Sequence, residues 1–174
     1  DGLGGDDVYW QSERMKLKLT FKMVKGIIFD WIGTLAKNSE ELFPYSKRVV
    51  EELSTSYRLS LISIAGKGID NRRNEIERSG LVRYFDLVIV DLLKTPQQYK
   101  ECMKAMSTIP NDTVIVDDRM FRGIKIGNIL GCQTYWIKNG KYGDELPNKE
   151  TGQPTKIINS IEDSNMKIPK YNIF

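Results

Sequence analysis

The chain has 174 residues, 40% of them apolar and 28% charged, a formal charge of +3 from 26 basic and 23 acidic side chains, and no histidine. That is the composition of a folded domain of ordinary size, and the mild, unclustered charge gives nucleic-acid binding no support. Without histidine there is no imidazole base, no Ser-His or Cys-His pair and no His-ligated zinc.

Two cysteines, Cys102 and Cys132, build neither a zinc site nor a disulfide framework and read as small buried hydrophobes. Their scarcity fits a reducing, cytoplasmic setting. No apolar run approaches the roughly 18–20 residues of a membrane helix, so no membrane span is expected. The remaining chemistry rests on carboxylates, hydroxyls, lysines and a hard metal ion.

Residues 1–22 are expected to be an extension of the core. The first fourteen, rich in Gly and Asp, resemble a tag remnant or processed end. Leu17, Leu19 and Phe21 alternate with lysines, the pattern of an edge strand. Gly26-Ile27-Ile28-Phe29 is too short for a helix and reads as a buried parallel strand closed by Asp30. The spacing of Leu42, Tyr45, Val49, Val50 and Leu53 predicts a helix over 39–53 capped by Ser39. Strands are expected at 59–62, 85–90, 114–116 and 134–137. Helices are expected at 71–79, 95–106 and 121–130, the first and last stopped by Gly80 and Gly131, and a last helix at 155–162. This is an α/β fold: a Rossmann-like three-layer α/β/α sandwich on a mostly parallel five-stranded sheet, with the core over 23–163 and a tail at 164–174.

Polar residues stand where the strands end: Asp30, Ser63, Asp117 and Asp118, with Lys94 a few residues after the third strand. In an open parallel sheet such positions converge on one crevice. A carboxylate, a hydroxyl, an amine and a carboxylate pair suit an anionic substrate and a hard cation.

In these places the sequence resembles the haloacid dehalogenase superfamily. Asp30-Trp31-Ile32-Gly33-Thr34-Leu35 is similar to its first motif, Leu61-Ile62-Ser63 to the second, Lys94-Thr95-Pro96 to the third and Val116-Asp117-Asp118-Arg119 to the fourth. The resemblance runs from about Val24 to Lys138. It implies an aspartyl-phosphate chemistry with Asp30 as nucleophile. Gly33 and Thr34 would lie against the phosphoryl group. Ser63 would donate a hydrogen bond to that group, and Lys94 would stabilise it as it transfers. The implied Mg²⁺ ligands are Asp30, Asp118 and the backbone carbonyl of Ile32, with Asp117 either ligating through water or tuning charge. The implied partner is a phosphorylated small molecule or macromolecule.

Two departures stand out. The phosphatases of the family carry a second Asp two residues after the nucleophile as general acid and base; here that residue is Ile32. The carboxylate or amide expected four or five residues after Asp118 is replaced by Arg122 or Gly123, and Arg122 either repels the metal or grips phosphate. The spacings from Asp30 to Ser63 and from Ser63 to Lys94 leave no room for a cap domain. Ile32 limits an enzyme of this type to good leaving groups such as acyl or aryl phosphates. The alternatives are a non-catalytic phosphate-binding or regulatory module and, with less support, a dehalogenase. Trp31 either lines the substrate entrance or packs over the first-motif loop.

Overall fold

Short apolar runs bounded by turn residues become strands, and in the computed structural model there are six of them among the described residues, which are 23–66, 68–138, 140–163 and Met166. They are β1 (Gly26–Phe29), β2 (Arg58–Ile64), β3 (Leu87–Asp91), β4 (Thr113–Asp117), β5 (Gln133–Ile137) and β6 (Lys156–Ile158). Their order is β3-β2-β1-β4-β5-β6, and every pairing is parallel. The helices between them are α1 (Ser46–Ser54), α2 (Ile69–Ser79), α3 (Pro96–Met106) and α4 (Lys125–Leu130).

Side chains on a strand alternate between faces, and both faces of this sheet are covered. Ile27 and Phe29 pack with Val49 and Val50 of α1 and Ile76 of α2. Ile28, between them in sequence, packs with Tyr99, Cys102, Met103 and Met106 of α3 and Ile126 of α4. This is why the central strands are uninterrupted apolar runs, each buried Ile or Phe contributing about 1.5–3 kcal/mol. The arrangement is the expected three-layer α/β/α sandwich.

The sixth strand corrects the expectation of five strands and a helix at 155–162. Lys156–Ile158 adds to the sheet edge beside β5, with Ile158 buried and Ile157 exposed. Neighbouring isoleucines on opposite faces follow the period of two of a strand, and Asp163 closes a turn by accepting from the backbone N–H of Asn159.

The first helix begins at Ser46, not at Ser39. Asn38 Oδ1 accepts from the N–H groups of Glu40 and Glu41, and Ala36 bridges Leu42 in antiparallel fashion, so residues 37–41 form a turn. Pro44 also disfavours helical geometry at Phe43.

The third strand starts two residues later than expected because a 3₁₀ turn at Val82–Tyr84 precedes it. The helix expected at 121–130 divides into a π-turn, Met120–Ile124, and α4. Gly80 and Gly131 stop their helices in the left-handed conformation, and Thr95 caps α3 in a capping box with Gln98.

The expected N-terminal edge strand and C-terminal tail lie outside the described residues, Met166 apart, which is buried in the first core cluster. Strand order reverses between β1 and β4, so a crevice opens outside their carboxyl ends.

Candidate active site

Asp30 follows β1, and Asp117 ends β4 one register step away, the backbone N–H of Asp30 donating to Val116 O at 3.0 Å. The β3–α3 loop carries Lys94 across to both: its Nζ lies 2.6 Å from Asp30 Oδ1 and 2.6 Å from Asp117 Oδ2. One oxygen from each of Asp30, Asp117 and Asp118 falls within 4.8 Å of the others. The four groups that the sequence singled out at the first, third and fourth motifs therefore meet.

Their environments differ. Asp117 is buried with both oxygens engaged, by Lys94 and by the backbone N–H of Arg119 at 2.9 Å. The Asp118 carboxylate accepts no hydrogen bond among the described residues and rests against Gly33, at φ 86°, where a Cβ would collide with it. Burial first, and then the charges of Asp30 and Asp117, pushes the Asp118 carboxyl up to about 8. Burial followed by Asp30 pushes Asp117 up to about 6. Burial opposes the charged form of Lys94, but Asp117 and Asp30 outweigh it and hold the ammonium well above its ordinary range.

Three carboxylates against one ammonium leave two negative charges to compensate, and a divalent cation with hard oxygen ligands fits that donor set. Asp118 has both oxygens to offer it, and Asp30 has lone pairs left beside Lys94 on Oδ1 and the longer Thr34 contact on Oδ2, whereas the fully buried Asp117 holds Lys94 and the backbone at Arg119.

Gly123 explains the fourth-motif departure. A Cβ there would overlap the Asp117 carboxylate, so the π-turn packs onto Asp117 only because the residue is glycine, and no carboxylate fits in its place.

The crevice over these groups encloses about 200 Å³. Asp30, Ile32, Ser63, Lys94, Asp118 and Arg122, all candidate site residues of the sequence, line it. Thr34 does not: it is fully buried and its Oγ1 donates to Asp30 Oδ2 at 3.3 Å. Gly33 sits beneath Asp118.

Arg72 and Tyr142, which no motif marks, and Arg119, which the fourth motif gives no role, also line the crevice. Arg72, on α2, donates from Nη1 to Ser63 Oγ at 3.0 Å, and its Nε lies 2.8 Å from Glu75 Oε2. Ser63 accepts from Arg72, and its own proton makes only a long 3.5 Å contact to Ile64 O, which a ligand oxygen can replace. Arg119 lies over the Tyr142 ring at 3.7 Å and pairs with Glu145 at 2.6 Å, so the β5–β6 loop forms one wall. Arg72 alone had a legible signal, a basic residue on the helix directly after the second motif.

Trp31 is buried and lines a separate hollow with residues of the 38–42 turn and α2, not the crevice. Both cysteines are buried and no disulfide joins them, and burial pushes the Cys102 thiol up to about 12. No helix among the described residues is long and apolar enough to cross a membrane.

Comparison with known proteins agrees with this fold. A family model described as HAD-hydrolase-like matches residues 95–164. The glyceraldehyde 3-phosphate phosphatase of Pyrococcus furiosus is 34% identical over 56 residues, 32% of this chain and 23% of that protein, so the match spans under a quarter of the relative's length. A HAD phosphatase from Thermococcus onnurineus superposes with a TM-score of 0.63 at 14% identity, covering 80% of this chain and 95% of that one. The HAD-hydrolase YfnB of Bacillus subtilis, solved with magnesium bound, gives 0.58 at 19% identity over 70% and 54%.

Four motifs in order, a parallel sheet of this topology and the family model matching residues 95–164 describe an α/β domain of the HAD-hydrolase-like type with its candidate site at the strand ends. The chain resembles the haloacid dehalogenase superfamily of hydrolases: a model of that family matches residues 95–164, and the described residues share the fold of its solved members.

Proposed function

We propose that the protein is a Mg²⁺-dependent phosphohydrolase or phosphotransferase that works through an aspartyl-phosphate on Asp30. The observation that carries this reading is the Lys94 ammonium, buried and shared at 2.6 Å between Asp30 and Asp117. It pairs with the nucleophile and aims one of its oxygens. Asp30, the backbone at Ile32 and Asp118 would hold the cation, which supplies charge neutralisation to the phosphoryl oxygens when bound. Ser63, oriented by Arg72, donates to a phosphoryl oxygen, and Arg119 and Arg122 add positive charge at the walls.

In the first step Asp30 Oδ bonds to phosphorus, and the leaving oxygen departs with the electron pair of the broken P–O bond. In the second, water attacks the aspartyl-phosphate, releasing inorganic phosphate and restoring the carboxylate. Ile32 lines the crevice where the relatives' acid and base stands and transfers no proton, so the first step favours acyl or aryl phosphates. The name of the Pyrococcus relative, a phosphatase, supports phosphate chemistry. Two buried cysteines that form no disulfide with each other fit a cytoplasmic setting.

Ile32 also favours a second reading, a phosphate-binding module without turnover. Mg²⁺-dependent hydrolysis of an aryl phosphate, lost in Asp30→Asn, supports the enzyme. Phosphate binding with no hydrolysis supports the module.

A further inference from the structure

We infer that the substrate is an aryl phosphomonoester, its ring seated on an apolar shelf beside the crevice. This rests on the phosphate reading above and deepens it. Leu92, Leu93, Phe121 and Ile129 are the kind of side chains a fold normally hides, yet they are 67%, 57%, 48% and 64% exposed. They are not scattered. They border a single depression of about 430 Å³ between the β3–α3 loop and the start of α4.

The depression continues into the crevice: Ile64, Lys94 and Arg122 line both. A phosphoryl group held at Asp30 and Lys94 therefore has its ester substituent directed either to solvent or, past Arg122, onto Leu93 and Phe121. Arg122 at the junction is placed to face the phosphate on one side and a ring on the other.

Chemistry at Ile32 points to the same occupant. With no acid to protonate it, the leaving group has to be stable as an anion, which a phenolate or carboxylate is and an alkoxide is not. A small acyl phosphate satisfies that condition but leaves the shelf bare. An aryl phosphate satisfies both, since its leaving group is at once a stable anion and an apolar ring. Leaving-group chemistry and apolar surface are independent observations, and they select one class.

Non-hydrolysable analogues test the shelf without turnover. In Mg²⁺, calorimetric titration of the whole protein with phenylphosphonate and with methylphosphonate is expected to show about ten-fold tighter binding of the phenyl compound, the low end for an apolar contact on an open surface. In the double variant Leu93→Ser, Phe121→Ser, both sites being exposed, the two affinities converge. Equal affinities in the unaltered protein, or a preference that survives the double variant, overturn the shelf. A phenyl preference without aryl phosphate hydrolysis keeps the shelf as a binding site and removes the catalytic reading instead.

Discussion

Gly123 lies against the carboxylate of Asp117 so closely that a Cβ would overlap it. The fourth-motif strand end is thus held in place by a residue with no side chain, and Asp117 in turn holds Lys94. Gly123→Ala should push Asp117 out of line and destabilise the fold by about 1–3 kcal/mol, as overpacking typically does. Thermal denaturation should read a lower Tm for this variant than for Gly140→Ala, where a Cβ meets nothing. Equal Tm values would show that the contact relaxes at no cost.

Arg72 orients Ser63 and is paired with Glu75, both side chains nearly buried. Arg72→Met leaves the Glu75 carboxylate without its partner, and loss of one member of a buried pair costs about 3–5 kcal/mol. Arg72→Met, Glu75→Leu removes both charges and should recover most of that stability in urea denaturation, while inorganic phosphate still binds more weakly than to the unaltered protein. Full recovery of phosphate affinity would deny Arg72 its role beside Ser63.

Raised carboxyl values at Asp118, about 8, and Asp117, about 6, against an ordinary value of 3.8, fix a pH dependence. The folded state keeps protons that the unfolded chain has already released. Stability of the metal-free protein therefore falls as pH rises from about 4 and levels off above about 8. Mg²⁺ competes with those protons, so the Tm increment it gives should be larger at pH near 8.5 than near 6. The same increment at both would place the cation away from Asp118.

Ile32→Asp puts a carboxyl where proton transfer is missing. Hydrolysis of alkyl phosphates should rise by about 10²-fold or more, and aryl phosphates, which need less protonation, should gain less. Steady-state rates with matched alkyl and aryl substrates measure this. A uniform gain or none would mean that the leaving group is not limiting.

What could be read from the sequence was local. Phe29-Asp30 and Val116-Asp117 announce strand ends because a charge interrupts an apolar run, and the topology then brings those ends together. Gly80, Gly131 and Thr95-Pro96 mark helix boundaries by backbone chemistry alone. Other features depend on partners far along the chain. The 37–41 turn depends on Asn38 accepting two backbone N–H groups, which outweighs the helical spacing of Leu42 and Tyr45. β6 exists because β5 offers an edge. Arg72 reaches Ser63 from α2, and Arg119 meets Glu145 across 26 residues; no spacing rule encodes either contact.

In the proposed reaction phosphate passes covalently through Asp30. Incubation with an aryl phosphate and Mg²⁺, acid quench, borohydride reduction and peptide mass spectrometry test it directly, because reduction turns an aspartyl-phosphate into homoserine. Homoserine is expected at position 30, dependent on Mg²⁺ and absent from Asp30→Asn. Phosphate release by the unaltered protein with residue 30 left as aspartate, or with the modification at another carboxylate, would contradict it.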